Sequence, residues 1–183
     1  MDEIKEFWTK AGVDNGALCD QFQKTIISAK IFPRPHRGGS NLHQVIVGPE
    51  DKIKAVANEY AAALVKTGLV ANDAIHLMTQ EIMDKPRQGR EPTSAQQLIS
   101  EASGGVLMIN VDKIRQGSYR ALQDSLLYPI DTDKNCPVII FTGSESGMKD
   151  FRATRPEFNA RLPRDTRVQT LKSTQQPPPS PRR

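Results

Sequence analysis

Cysteine is scarce in this sequence, and its scarcity excludes two classes of small protein. Cys19 and Cys136 are the only cysteines among 183 residues. A framework of several disulfides and a four-thiolate metal site are therefore both excluded. The chain is long enough to bury one core without such cross-links. We expect both thiols to be reduced in a cytoplasm-like compartment.

Long apolar runs and clustered metal ligands are missing as well. The first residues, MDEIKEFW, are acidic and lack the apolar region of a signal peptide, and no run approaches the roughly 18 residues of a membrane span. We therefore expect a cytoplasmic protein without a membrane partner, although a non-classical export signal would not show in composition. His36, His43 and His76 do not have ligand spacing, so we predict no metal site. We also expect no bound cofactor.

Positive charge is concentrated at the C-terminal end. Residues 149–183 hold nine Lys or Arg and three Asp or Glu, a net charge of +6, whereas the whole chain has +4. The remainder therefore carries −2. A basic end of this kind raises the alternative of a nucleic-acid-binding module, but aromatic residues for base stacking are missing after Phe158.

Composition and apolar spacing divide the chain into four segments. The prediction is a helical N-terminal extension over 1–31, a Pro/Gly-rich linker over 32–41, an α/β domain over 42–171 and a disordered Pro/Arg-rich tail over 172–183.

Strand and helix patterns alternate within the α/β segment. Apolar runs at 43–47, 74–78, 106–109 and 137–143 are typical of strands, and helical spacing follows the first run from Ile53 to Leu64. Further helical patterns cover 95–102 and 121–127. This alternation predicts an α/β layer fold with a mostly parallel sheet.

The strand ends are where a ligand of such a sheet would bind. The stretch GPEDKIKA after the first strand matches a phosphate-binding loop at Gly48 and Lys54 only. Ile53 replaces the second glycine, and Ala55 replaces the hydroxyl residue that holds Mg²⁺. After the third strand, Asn110 and Val111 stand where a nucleotide hydrolase carries Asp and Glu for the metal and the attacking water.

Several such pieces in order resemble one family. LHQVIVGP, LISEASGGVLMIN, CPVIIFTGSESGMKDF and RPEFNARLP are similar, in order and spacing, to the AAA+ ATPase module of the red-type Rubisco activase and stage V sporulation protein K class. The resemblance covers about 42–170 and implies a three-layer P-loop NTPase-like fold, the AAA+ base subdomain. The helical lid of that family has no counterpart in this sequence.

Residue by residue, the resemblance implies a degenerate nucleotide site of Gly48, Lys54, Asn110 and Thr142. It also places Arg161 on the arginine finger, which acts on a neighbouring subunit in that family. The missing acids and loop residues predict a protein without ATPase activity.

Three functions follow as hypotheses. The first is a catalytically inactive AAA+-like adaptor, assembly or regulatory subunit whose partner is a protein, either itself or an active relative, with Arg161, Trp8 and Phe22 as interaction residues. The second is a weak ATP-binding protein or atypical ATPase in which Asp112 takes the metal role. The third is the nucleic-acid-binding module of the basic C-terminal region.

Overall fold

The computed structural model describes residues 42–168, except positions 67, 72 and 134, together with positions 20, 23, 24, 27 and 31. Each of those five isolated positions is helical. Trp8, Phe22, the linker over 32–41 and the tail over 172–183 lie outside the described residues. The predictions made for them, and the four-segment division itself, stay predictions.

Five parallel strands form one sheet in the described part of the chain. They are β1 (Gln44–Val47), β2 (Ile75–Met78), β3 (Val106–Asn110), β4 (Val138–Gly143) and β5 (Asp165–Arg167). Their order across the sheet is β2-β3-β4-β1-β5, and every pair of neighbours runs parallel. Because β1, β3 and β4 are interior strands, their side chains are apolar on both faces, as in VLMI and VIIF.

Six helices connect the strands. They are α1 (Glu50–Lys66), α2 (Gln80–Asp84), α3 (Ser94–Glu101), α4 (Tyr119–Thr132), α5 (Glu145–Thr154) and α6 (Pro156–Asn159). The start of α3 shows why the sequence folds this way locally. Thr93 and Gln96 form a reciprocal capping box, in which each side chain accepts a hydrogen bond from the other residue's main-chain N–H.

The sheet separates two apolar layers. On one face α1 packs through Ile53, Val56, Tyr60 and Leu64 against Ile46 and Ile140. On the other face the longer layer of α3 to α6 packs against Val45, Ile109 and Phe141. Three phenylalanines, Phe141, Phe151 and Phe158, form an aromatic group in that layer with ring centroids 5.6 to 6.0 Å apart.

The predicted α/β class is confirmed: the domain has three layers, with helices on both faces of a five-stranded parallel sheet. The predicted strands and the three predicted helices are present to within a few residues. Sequence patterns missed α2, α5, α6 and β5. Within the described residues, no helix has the length and apolar character needed to cross a membrane.

Candidate functional site at the carboxyl edge of the sheet

The sheet brings three of the four predicted nucleotide-site residues to one edge. Asn110 at the end of β3 is the register partner of Thr142 in β4, and Val47 at the end of β1 is the partner of Gly143. Gly48 follows Val47 and donates its main-chain N–H to the carbonyl of Gly143 at 3.2 Å. This edge is therefore the candidate functional site.

Lys54, the fourth residue, lies in a helix and not in a loop. The helix α1 begins at Glu50, three residues after the strand ends at Val47, so Lys54 is its fifth residue and is exposed to solvent. The main-chain N–H groups of Lys52 and Ile53 both donate to the carbonyl of Pro49, at 3.0 and 2.9 Å. A phosphate-binding loop instead needs a longer glycine-containing turn whose amides face the ligand.

The first turn of α1 is acidic. Glu50 and Asp51 both lie there, where carboxylates interact favourably with the positive end of the helix dipole. Lys113, on the loop after β3, pairs with Glu50 at 2.9 Å, and both side chains are largely exposed. The helix terminus thus has its own negative charges in the position where a phosphate would bind.

Close packing explains why a glycine is present at position 48. A Cβ atom at this position would lie 2.6 Å from the carbonyl oxygen of Val168 and 3.3 Å from a methyl group of Ile53. The chain leaving β5 passes this close because Val168 donates its N–H to the carbonyl of Val47 at 2.8 Å. The glycine is therefore explained by the close approach of two main-chain segments.

Asn110 ends β3 and caps the short 3₁₀ turn that follows. Its side-chain Oδ1 accepts the main-chain N–H of Asp112 at 3.0 Å. The next residue, Val111, is fully buried in the apolar layer with Phe141 and Met148. The pair that stands in the positions of a metal-binding acid and a water-activating acid is thus used for a turn and for core packing.

Asp112 accepts two hydrogen bonds from Ser144 at this edge. Its Oδ2 accepts the main-chain N–H of Ser144 at 2.7 Å, and its Oδ1 accepts the hydroxyl of the same serine at 3.0 Å. Ser144 in turn is the N-cap of α5, because its Oγ accepts the N–H of Gly147 at 3.1 Å. The carboxylate therefore joins the end of β3 to the beginning of α5.

Space around this carboxylate depends on two glycines. A Cβ at Gly147 would lie 1.9 Å from Asp112 Oδ1, and a Cβ at Gly143 would lie 2.6 Å from a methyl group of Val111. In the sequence GSESG, residues 143–147, Ser144 caps the helix, and the glycines at both ends leave room for Val111 and Asp112. Ser144 and Gly147 were not identified from the sequence; a serine followed directly by an acidic residue, Glu145, was the available signal of a helix start.

Arg161 lies away from this edge and binds within its own chain. Its Nε donates to Asp131 Oδ1 at 2.5 Å, and its Nη1 donates to the carbonyl of Glu157 at 2.5 Å. The hydrogen bond to Asp131 raises the pKa of this guanidinium above its ordinary value. Asp131 belongs to the last turn of α4, so the contact links the α6 region to that helix.

Three other arginines of the C-terminal region are also paired with acids. Arg152 contacts Asp165 at 2.6 Å, Arg155 contacts Asp124, and Arg167 contacts Glu145 at 3.3 Å. These pairs reduce the positive potential of the surface on which they lie.

The described part of the chain has neither a group of metal ligands nor an activated thiol. Within the described part of the chain, no group of three or more His, Cys, Asp or Glu is arranged to hold a metal ion. Cys136 is partly buried, and burial, with a smaller effect of the Asp133 charge, raises the pKa of its thiol to about 12. Such a thiol is a poor nucleophile at neutral pH.

Comparisons with known proteins give distant structural likenesses and no sequence match. No family model matches the chain, and no curated protein matches it significantly. Among solved structures, the ADP form of the ORC2 protein of Aeropyrum pernix is similar over 81% of this chain, with a TM-score of 0.46 and 11% identity. The match spans 47% of that protein's chain, so this chain is similar to about half of it.

Proposed function

We propose that the protein is a catalytically inactive AAA+-like module that acts through contacts with other proteins, as an adaptor, assembly or regulatory subunit. The sequence resemblance to the red-type Rubisco activase and stage V sporulation protein K class motivates the proposal, and the parallel α/β sheet is compatible with it. The observation that carries it is the replacement of a phosphate loop by a helix that begins at Glu50.

The first support concerns the phosphates. The amides of Lys52 and Ile53 are hydrogen-bonded within the helix start, and the acidic first turn adds repulsion. A carboxylate 4 Å from one phosphate charge costs about 1 kcal/mol in water and about 4 kcal/mol near a protein surface. Glu50 and Asp51 therefore oppose the binding that Lys54 alone would favour, and these residues do not fit a nucleoside triphosphate.

The second support concerns the metal. Mg²⁺ is usually held by one or two carboxylates together with phosphate oxygens and water. Asn110 carries no charge, and both oxygens of Asp112 already accept hydrogen bonds from Ser144. A metal ion at Asp112, as in the atypical ATPase hypothesis, would have to share these oxygens with Ser144.

The nucleic-acid hypothesis receives less support from the described part of the basic C-terminal region. Arg152, Arg155, Arg161 and Arg167 each have an acidic partner. Binding to phosphates would require these pairs to be exchanged. The basic residues of the tail lie outside the described residues, so deletion of 169–183 and a salt titration of DNA and RNA retention are the direct tests.

A binding experiment tests the proposal. Purified protein is titrated with ATP and Mg²⁺ in a calorimeter, and its mass is measured by sedimentation with and without the nucleotide. We expect no saturable heat up to millimolar ATP and a mass that does not change with nucleotide. Lys54→Ala is the matched variant, and it should behave as the parent does. Saturable binding that Lys54→Ala abolishes would contradict the proposal.

A further inference from the structure

The last strand of the sheet is short and has little apolar anchoring. β5 has one buried residue, Thr166, between the exposed Asp165 and Arg167. Thr166 lies on the α1 face of the sheet, as Val168 does two residues later, and its hydroxyl has no hydrogen-bond partner within the described part of the chain. Val168 is therefore the one apolar side chain that this segment buries. We call residues 165–168 the β5 strap.

The β5 strap covers the loop that follows β1. Val168 donates its main-chain N–H to the carbonyl of Val47 at 2.8 Å, and its own carbonyl oxygen would lie 2.6 Å from a Cβ atom at Gly48. Earlier in the strap, Thr166 is the register partner of Ile46. Release of the strap would therefore open two features at the carboxyl edge: the outer main-chain edge of β1 and the main chain of Gly48.

One side chain, that of Arg152 in α5, holds the strap by polar contacts. Its Nε and Nη2 both donate to Oδ1 of Asp165, at 2.9 and 2.6 Å. Its Nη1 donates to Oδ1 of Asn159 at 2.9 Å, and its Nη2 also donates to the carbonyl of Pro163. The side chain is 19% exposed, so solvent and salt screen its charge less than that of a surface arginine. Arg152 thus joins α5, α6 and the strap.

A second ion pair ties the end of the strap to the start of α5. Arg167 contacts Glu145 at 3.3 Å, but the two side chains are 67% and 65% exposed. Exposed pairs of this kind contribute little to stability. The strap therefore depends on Arg152 more than on this pair or on apolar burial. Segments with few buried apolar contacts open locally at a lower free energy than interior strands do.

We propose that the β5 strap is a releasable cover of the carboxyl edge, and that Arg152 is the residue that keeps it closed. Arg152 acts as a positioning residue: its guanidinium fixes Asp165, and Asp165 fixes the strap beside Gly48. In the open state β1 presents an unpaired main-chain edge next to Gly48. This opening controls access to the candidate site, and it is independent of the proposed function.

Amide hydrogen exchange of the full chain, resolved by NMR, tests the release of the strap. Protection is compared between the N–H of Val168 and the N–H of Ile109, which lies in the interior strand β3. We expect Val168 to exchange by local opening in the parent protein, and therefore to be less protected than Ile109. Arg152→Met should make Val168 exchange about tenfold faster or more, because the hydrogen bonds to a carboxylate are lost.

Arg161→Met is the matched control. It removes the same charge and also breaks a partly exposed ion pair, with Asp131, but that pair does not touch the strap. It should leave exchange at Val168 within about twofold of the parent, even where it destabilises the whole domain. Equal protection of Val168 and the interior strands, no effect of Arg152→Met, or an equal effect of Arg161→Met would overturn the inference. If Arg152→Met does not fold, Asp165→Asn removes the charge from the other side of the pair, and unchanged exchange at Val168 in that variant would overturn it equally.

Discussion

Replacement of Gly147 by alanine separates two opposing effects of known sign. Gly147 is the third residue of α5, where alanine has a helix propensity up to about 1 kcal/mol better than that of glycine. However, the new Cβ would lie 1.9 Å from Asp112 Oδ1, so the carboxylate must move. If propensity alone mattered, Gly147→Ala would stabilise the protein.

The displaced carboxylate loses its contacts with Ser144. Hydrogen bonds to a charged group contribute about 1.5 to 3 kcal/mol each in general, and the exposed position of Asp112 favours the lower end. Loss of the pair therefore costs roughly 2 to 3 kcal/mol, which exceeds the propensity gain. We expect Gly147→Ala to destabilise the protein by about 1 to 2 kcal/mol.

Urea unfolding followed by circular dichroism measures this difference. The matched background is Asp112→Ala, in which there is no carboxylate to displace. There, Gly147→Ala should be neutral or stabilising, so the coupling energy between the two positions should be on the order of 2 kcal/mol. Stabilisation by Gly147→Ala in the parent protein, or equal effects in both backgrounds, would refute the role given to Asp112.

Three further changes test the packing and the ionisation described above. Gly48→Ala should destabilise by about 1 to 3 kcal/mol because its Cβ meets the carbonyl of Val168, whereas Gly117→Ala, which has open space, should change the urea midpoint little. Phe158→Ala should cost about 3 to 5 kcal/mol by emptying its place beside two other phenylalanines, and truncation of exposed Tyr128 should cost less than about 0.5 kcal/mol. The ordinary pKa of a cysteine thiol is about 9, and burial raises the pKa of Cys136 in the folded chain to about 12. Above pH 9 the unfolded chain therefore loses the thiol proton while the folded chain keeps it. Stability relative to Cys136→Ser should therefore fall by about 1 kcal/mol between pH 8 and pH 10 in urea titrations, and parallel curves would contradict the assigned burial effect.

Much of the fold was predictable because its interior strands are continuous apolar runs. β1, β3 and β4 have this character, and so their ranges agree with the sequence patterns to within about one residue. The strand β5 was not predictable in this way, since Asp165–Arg167 has one buried residue between two charged ones. It forms only because β1 offers it a free edge, which is a tertiary effect.

The candidate site was predictable in position and less so in geometry. Parallel strands bring their carboxyl ends together, so Asn110 and Thr142 meet as neighbours. The conformation of the segment after β1 could not be predicted from residue spacing. Gly48 and Lys54 have the spacing of a phosphate-binding loop, but that spacing is the same when a helix begins at Glu50, as it does here. Whether these residues bind a nucleotide stays a prediction.

The strand order has a consequence for biosynthesis. β1 is the first strand to be made, yet its partners are β4, where Val45 pairs with Phe141, and β5, where Ile46 pairs with Thr166. At translation rates of about 5 to 20 residues per second, the 96 residues from Ile46 to Phe141 take roughly 5 to 20 seconds to synthesise. Throughout that interval neither native partner strand of the segment QVIV exists, which leaves this apolar segment open to aggregation and to chaperones.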